Sequence, residues 1–122
     1  MADRIEMMID RLSAGMPGVI WERDAADVLR PEDWGAVELR ADADTQWADG
    51  QPTDEATGID LYLCVSDREA DWRDTINEIL RGYDDEVAWI TWQLADRAWM
   101  PEIQHTLWRW RVTLYEPILT EG

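Results

Sequence analysis

Reactive side chains are few and scattered in this chain. His105 is the only histidine and Cys64 the only cysteine among 122 residues, and the two could in principle form a nucleophile and base pair. Cys64 sits in an alternating apolar stretch, Ile59 to Val65, where a cysteine behaves as a small buried hydrophobe. The nucleophile elbow GxSxG, the phosphate loop GxxxxGK(S/T) and the dinucleotide fingerprint GxGxxG are absent. Carboxylates crowd one segment, at Asp42, Asp44, Asp49, Asp54 and Glu55, and hard cations take oxygen ligands. Aligned as a calcium loop from Asp42, however, the segment puts Trp47 at the glycine position and Thr53 where the bidentate glutamate belongs. It reads as a solvated charge run, with loose divalent binding the only metal chemistry left to it. Asp71, Asp74 and Glu78 share a helical face, as the carboxylates of all-helical nucleotide pyrophosphatases do, but any exposed helix face has this pattern. The expectation is a protein with no catalytic, cofactor or metal site.

The elements that would position any site follow from periodicity. Ile5, Met8, Ile9 and Leu12 form one helical stripe, ended by Gly15 and Pro17. Val19 to Arg23 and Ala36 to Ala41 alternate as short strands, the second with Val37 and Leu39 on one face and Glu38 and Arg40 on the other. Asp42 to Thr57 reads as the longest loop, either functional or the solvated tip of a hairpin. Ile59, Leu61, Leu63 and Val65 then share one strand face. Ser66 and Glu69 have the spacing of a capping box before a helix with Trp72, Ile76, Ile79, Leu80 and Tyr83 on its apolar side and Gly82 as its stop. Strands follow from Val87 to Asp96 and from His105 to Glu116, joined by a turn region at Asp96 to Pro101. The fold class expected is α+β: a mainly antiparallel sheet of about five strands with two helices packed on one face, in the order α-β-β-β-α-β-β, as a single domain over residues 1–122.

Charge narrows the partners. All eleven basic residues are arginine, and against 27 acidic ones they leave a net charge of −16, which repels phosphate backbones and anionic lipids. Sequence-specific nucleic-acid binding and membrane binding are therefore not expected. A single cysteine allows no intrachain disulfide, and the opening MADRIEMMIDRL lacks a signal peptide's apolar core. A cytoplasmic protein is expected.

Nine tryptophans and no phenylalanine are the chain's most unusual feature. In HTLWRWRVTLYE, residues 105–116, alternation sends Trp108, Trp110, Val112 and Leu114 toward the helices and Leu107, Arg109, Arg111, Thr113 and Tyr115 outward. Core packing also accounts for Trp72, Trp92 and Trp21. Trp34, Trp47, Trp89 and Trp99 fall in loops or on the opposite strand face, where a monomer would expose them. Because aromatics and arginine concentrate at interface centres, Trp47, Trp89, Trp99, Arg109, Arg111 and Tyr115 are the candidates for a subunit or partner contact. Packing under loops is the alternative.

A short first helix, an early WER strand, a long connection between the second and third strands, the unit DLYLCVSDREADWRDTINEILRGY and a last hairpin ending in WRWRVTLYEP together resemble the tail terminator, or tail completion, proteins of long-tailed bacteriophages. The resemblance covers nearly the whole chain and rests on layout and the closing strand. It implies a non-enzymatic assembly protein that caps the tail tube as a homo-oligomeric ring of six and joins it to the head–tail connector. Its partners would be itself, the tail tube protein and the connector; it would reside in the host cytoplasm during assembly and then in the virion neck. Two alternatives stand beside it: a head-completion or adaptor neck protein, and an acidic DNA-mimic module that inhibits a DNA-binding partner.

Overall fold

The computed structural model describes residues 4–23, 32–48, 50–67, 69–83 and 89–117. Its elements are α1 (Arg4–Gly15), β1 (Ile20–Glu22), β2 (Trp34–Ala48), β3 (Gln51–Val65), α2 (Arg73–Tyr83), β4 (Trp89–Met100) and β5 (His105–Pro117). The strands form one sheet in the order β1-β2-β3-β5-β4. Among the described residues only β1 runs parallel to its neighbour; the other pairings are antiparallel. The protein is α+β, with the element order read from the sequence and a mixed, mostly antiparallel sheet.

Both helices cover one face. Ile5, Met8 and Leu12 from α1 and Ile76 and Leu80 from α2 are buried against Val37, Ile59, Leu61, Leu63, Val65, Trp108, Trp110, Val112 and Leu114. Alternation in β3 and β5 thus sends every second side chain into this core, as its period of two requires. Helix-to-sheet and helix-to-helix ties add direction: Trp92 Nε1 donates to Asn77 Oδ1 at 2.7 Å, and the Arg11 guanidinium donates to the Gly82 carbonyl, meeting one of the acceptors left open at the end of α2. No helix among the described residues is long and apolar enough to cross a membrane.

Several elements depart from the expected boundaries. The segment read as a loop, Asp42 to Thr57, is instead the outer half of a long hairpin: β2 and β3 stay paired from Trp34↔Cys64 out to Ala48↔Gln51, through three register shifts. Its turn includes Gly50 at φ 75°, a backbone state glycine adopts without steric cost. The turn between the last two strands is likewise displaced. β4 continues through Met100, so residues 101–104 make the turn, and Asp96 to Met100 are strand.

Ser66 and Glu69 do not cap α2, which starts at Arg73. Asp71 does that work, accepting from the Arg73 backbone N–H at 3.1 Å while pairing with its guanidinium. Those hydrogen bonds hold the Asp71 carboxyl at about 2. Its contribution is therefore complete above the ordinary carboxylate range near 3.8 and lost as pH falls through about 2. The helix ends one residue beyond the expected stop at Gly82.

The short strand β1 is held by one close approach. Trp21 pairs with Gly35, and a Cβ added at Gly35 would lie 2.3 Å from the Trp21 ring. The indole therefore lies directly on the glycine backbone, inside the core. Gly35→Ala is expected to cost about 1–3 kcal/mol of unfolding free energy by forcing this ring aside, measured by urea titration. Unchanged stability would contradict the packing described for Trp21.

Candidate functional site

The sheet's second face, away from the helices, is divided in two. At the end near the β4–β5 turn it carries its own small core: Trp34, Ala36 and Cys64 are fully buried, packed by Tyr62, Met100, Ile103 and Leu107. Trp34 therefore corrects the expectation of an exposed loop tryptophan. It opens β2, and residues of the distant turn fold over it.

The two residues that carry nucleophile and base chemistry lie at this covered end. Cys64 is inaccessible. His105 is also buried, with Nδ1 2.6 Å from the Ile103 carbonyl and Nε2 3.5 Å from Asp33 Oδ1. A carbonyl can only accept, so Nδ1 carries the proton, and the other nitrogen faces a carboxylate that also accepts from the Ser66 N–H. Neither group meets solvent where a substrate would enter. Among the described residues no three His, Cys, Asp or Glu side chains converge as a metal site; the side chains of residues 41–54, which hold most of the acidic segment, lie outside that description.

The open half is polar, charged and aromatic. Register sets its rows: Arg109 stands between Tyr62 and Asp96, Arg111 between Asp60 and Gln93, Thr113 between Gly58 and Thr91, and Tyr115 between Ala56 and Trp89. Trp89 and Tyr115 stack with centroids 3.9 Å apart and planes 11° from parallel, and Trp89 remains 47% exposed. Arg109 pairs with Asp96 at 2.7 Å. Burial works against its charge, but a hydrogen bond to Tyr62 and the Asp96 and Asp60 carboxylates more than offset this and raise its pKa above the ordinary arginine value.

Two bulges shape this face. A register shift between Leu94 and Asp96 makes Ala95 the extra residue, so Asp96 turns outward to Arg109 and Arg97 turns to the helix side. There the Arg97 guanidinium lies 4.3 Å from the Trp108 ring centroid. A second shift, between Leu39 and Ala41, makes Arg40 the extra residue of β2. Bulges re-aim side chains in this way. Arg40 reaches across the sheet, with Nη1 3.4 Å from Asp60 Oδ1 and 3.5 Å from the Ile59 carbonyl. It lies over Gly58, where a Cβ would meet its guanidinium at 2.8 Å. The outcome is a depression of about 300 Å³ lined by Arg40, Thr91, Trp92, Gln93, Arg111 and Thr113.

Of the six residues singled out from the sequence, the structure brings four onto this one face: Trp89, Arg109, Arg111 and Tyr115. Trp99 is not among them. It pairs with Thr106, and alternation past the Ala95 bulge puts it on the helix side, half-buried. Trp47 belongs to β2 by its backbone, and its side chain lies outside the described residues. Sequence reasoning missed the depression because residues 42–57 read as a loop, which hid the pairing of β2 with β3 that sets Arg40 beside Gly58. A glycine inside a strand pattern was the available signal.

These features define a single-sheet α+β domain with one face closed by helices and the other left half open. No protein family matches the chain, and no curated protein matches it in sequence.

The two classes of tryptophan differ in consequence. Trp89→Ala is expected to lower stability by about 1 kcal/mol, the scale of an aromatic pair, while Trp108→Ala, which empties the core, costs about 3–5 kcal/mol. Urea unfolding of both variants checks this; equal losses would contradict the surface position of Trp89.

Proposed function

We propose that this protein is a non-enzymatic assembly protein of the bacteriophage neck, a tail terminator that caps the tail tube as a homo-oligomeric ring and joins it to the head connector. The observation that carries this reading is the half-open sheet face. Trp89, Tyr115, Arg109 and Arg111 stand together on it, and aromatics with arginine are what buried interface centres are made of. The layout of elements, which resembles that of tail terminators, is in keeping with it. Ring closure needs a heterologous contact between two different patches. The outer face of the last hairpin and the acidic β2–β3 hairpin are two such patches.

Strong negative charge fits this role as well. Carboxylates around a passage repel DNA instead of retaining it. The same charge would serve a DNA mimic, but a mimic needs an acidic face, and this open face presents arginines at three positions along β2 and β5.

Deleting the gene from the phage that encodes it is expected to yield overlong tails of variable length, detached from filled heads, in electron micrographs of lysates. Tails of normal length beside unattached heads would replace the terminator reading with head completion. Intact infectious particles would overturn both.

A further inference from the structure

At the covered end of the outer face one buried polar atom is left unsatisfied. The His105 side chain is only 6% exposed, and among the described residues its Nε2 has no hydrogen-bond partner. Nδ1 donates to the Ile103 carbonyl at 2.6 Å, so Nε2 is the nitrogen that gains or loses a proton. It faces Asp33 Oδ1 at 3.5 Å. In a neutral ring this placement buries a lone pair against a carboxylate, two acceptors with no hydrogen between them. An imidazolium turns the same placement into an ion pair.

Asp33 is a junction between strand ends. Its carbonyl accepts from the Ile20 N–H at 3.1 Å, at the start of β1, and its Oδ1 accepts from the Ser66 N–H at 2.9 Å, just past the end of β3. A proton on Nε2 adds the start of β5 to these attachments. The turn beside it needs securing: Gln104 has φ 53°, a left-handed state that is uncommon outside glycine and persists where its surroundings hold it. Met100, Ile103 and Leu107 pack from this end over Trp34, Ala36 and Cys64. What holds the turn therefore also holds the cover of the small core.

Among the described residues Asp33 is the one charged group within ion-pair distance of the ring. On β3 the titratable groups of the same face are Cys64, which is buried, and Tyr62 beyond it. On β5 Arg109 is engaged with Asp96. β4 places Met100 opposite His105, and Arg97 lies over Trp108 on the helix side. Glu32, Asp67 and Glu102, next in the chain to Asp33, Ser66 and Ile103, are exposed.

We propose that His105 is a proton-operated latch: with Nε2 protonated it ties the β4–β5 turn to Asp33, and when that proton leaves, the turn loosens over Trp34 and Cys64. The latch contributes stability where the ring carries its second proton and loses it as pH rises past the imidazole range, ordinarily near about 6.5. This device is independent of the neck role.

Cys64, the only cysteine, reports the opening. Its alkylation by iodoacetamide, divided at each pH by the rate of the urea-unfolded chain to remove the thiol's own ionisation, is expected to be more than about fivefold faster at pH about 8.5 than at pH about 5.5. A normalised rate that does not change with pH would overturn the proposal. A double-mutant cycle of Asp33→Ala and His105→Ala, read by urea unfolding, separates the pair from the Ser66 hydrogen bond that Asp33→Ala also removes. Coupling of about tenfold in the unfolding equilibrium constant is expected at pH about 5.5, and less than about twofold at pH about 8.5. Equal coupling at both pH values, or none at either, would also overturn it. Should a variant fail to fold, alkylation of the unmodified chain decides alone.

Discussion

The rest of the structure depends on the pairing of β3 with β5. It runs without a shift from Asp54↔Pro117 to Val65↔Thr106, and in a sheet a slip of one residue would exchange the two faces. That register stacks Ile59, Leu61 and Leu63 beside Val112, Trp110 and Trp108 on the helix side. It simultaneously fixes the outer rows, Asp60 with Arg111 and Tyr62 with Arg109. Core and open face are consequently two sides of one constraint. The energetic demand of the core, where a buried tryptophan or leucine contributes about 1.5–3 kcal/mol or more, determines which polar groups meet outside.

The flanking strands accommodate what the central pair cannot. Both strands take up extra residues, Arg40 among them in β2 and Ala95 in β4, and the β4 bulge brings Asp96 onto the outer face. Without the Ala95 bulge Asp96 would point toward the helices, away from Arg109. The outer face also solves its exposure unevenly: the β4–β5 turn closes one end over Trp34 and Cys64, while the other end keeps a stacked Trp89 and Tyr115 pair and the arginines in contact with solvent. A partly closed sheet face that keeps Trp89, Tyr115, Arg109 and Arg111 together is the observation on which the proposed neck role rests.

How much of this was legible depended on whether the signal was local. Strand faces were, because the alternation in Ile59 to Val65 and Trp108 to Leu114 follows directly from the pleat. The hairpin from 42 to 57 was not: its residues are acidic, small or turn-forming, and backbone pairing extends the strands there without an apolar rhythm to mark them. Ser66 with Glu69 matched a capping pattern, yet Asp71 sits closer to the first helical turn and brings Arg73 with it. The burial of Trp34 depends on Met100 and Ile103, far along the chain, so no local reading reaches it. Arg109, Arg111, Trp89 and Tyr115 could be grouped from alternation alone, whereas the depression beside them depends on Arg40 lying over a glycine of the neighbouring strand.

The central claim is that the open sheet face, and not the helix layer, is the working surface. Photo-crosslinking within assembling particles tests it most directly, using a benzophenone side chain at position 113 beside the depression and, separately, at position 78 on the exposed side of α2. The account predicts that position 113 yields adducts to a second copy of this chain and that position 78 yields none. Adducts to a second copy from position 78 alone, with position 113 unreacted, would contradict the account.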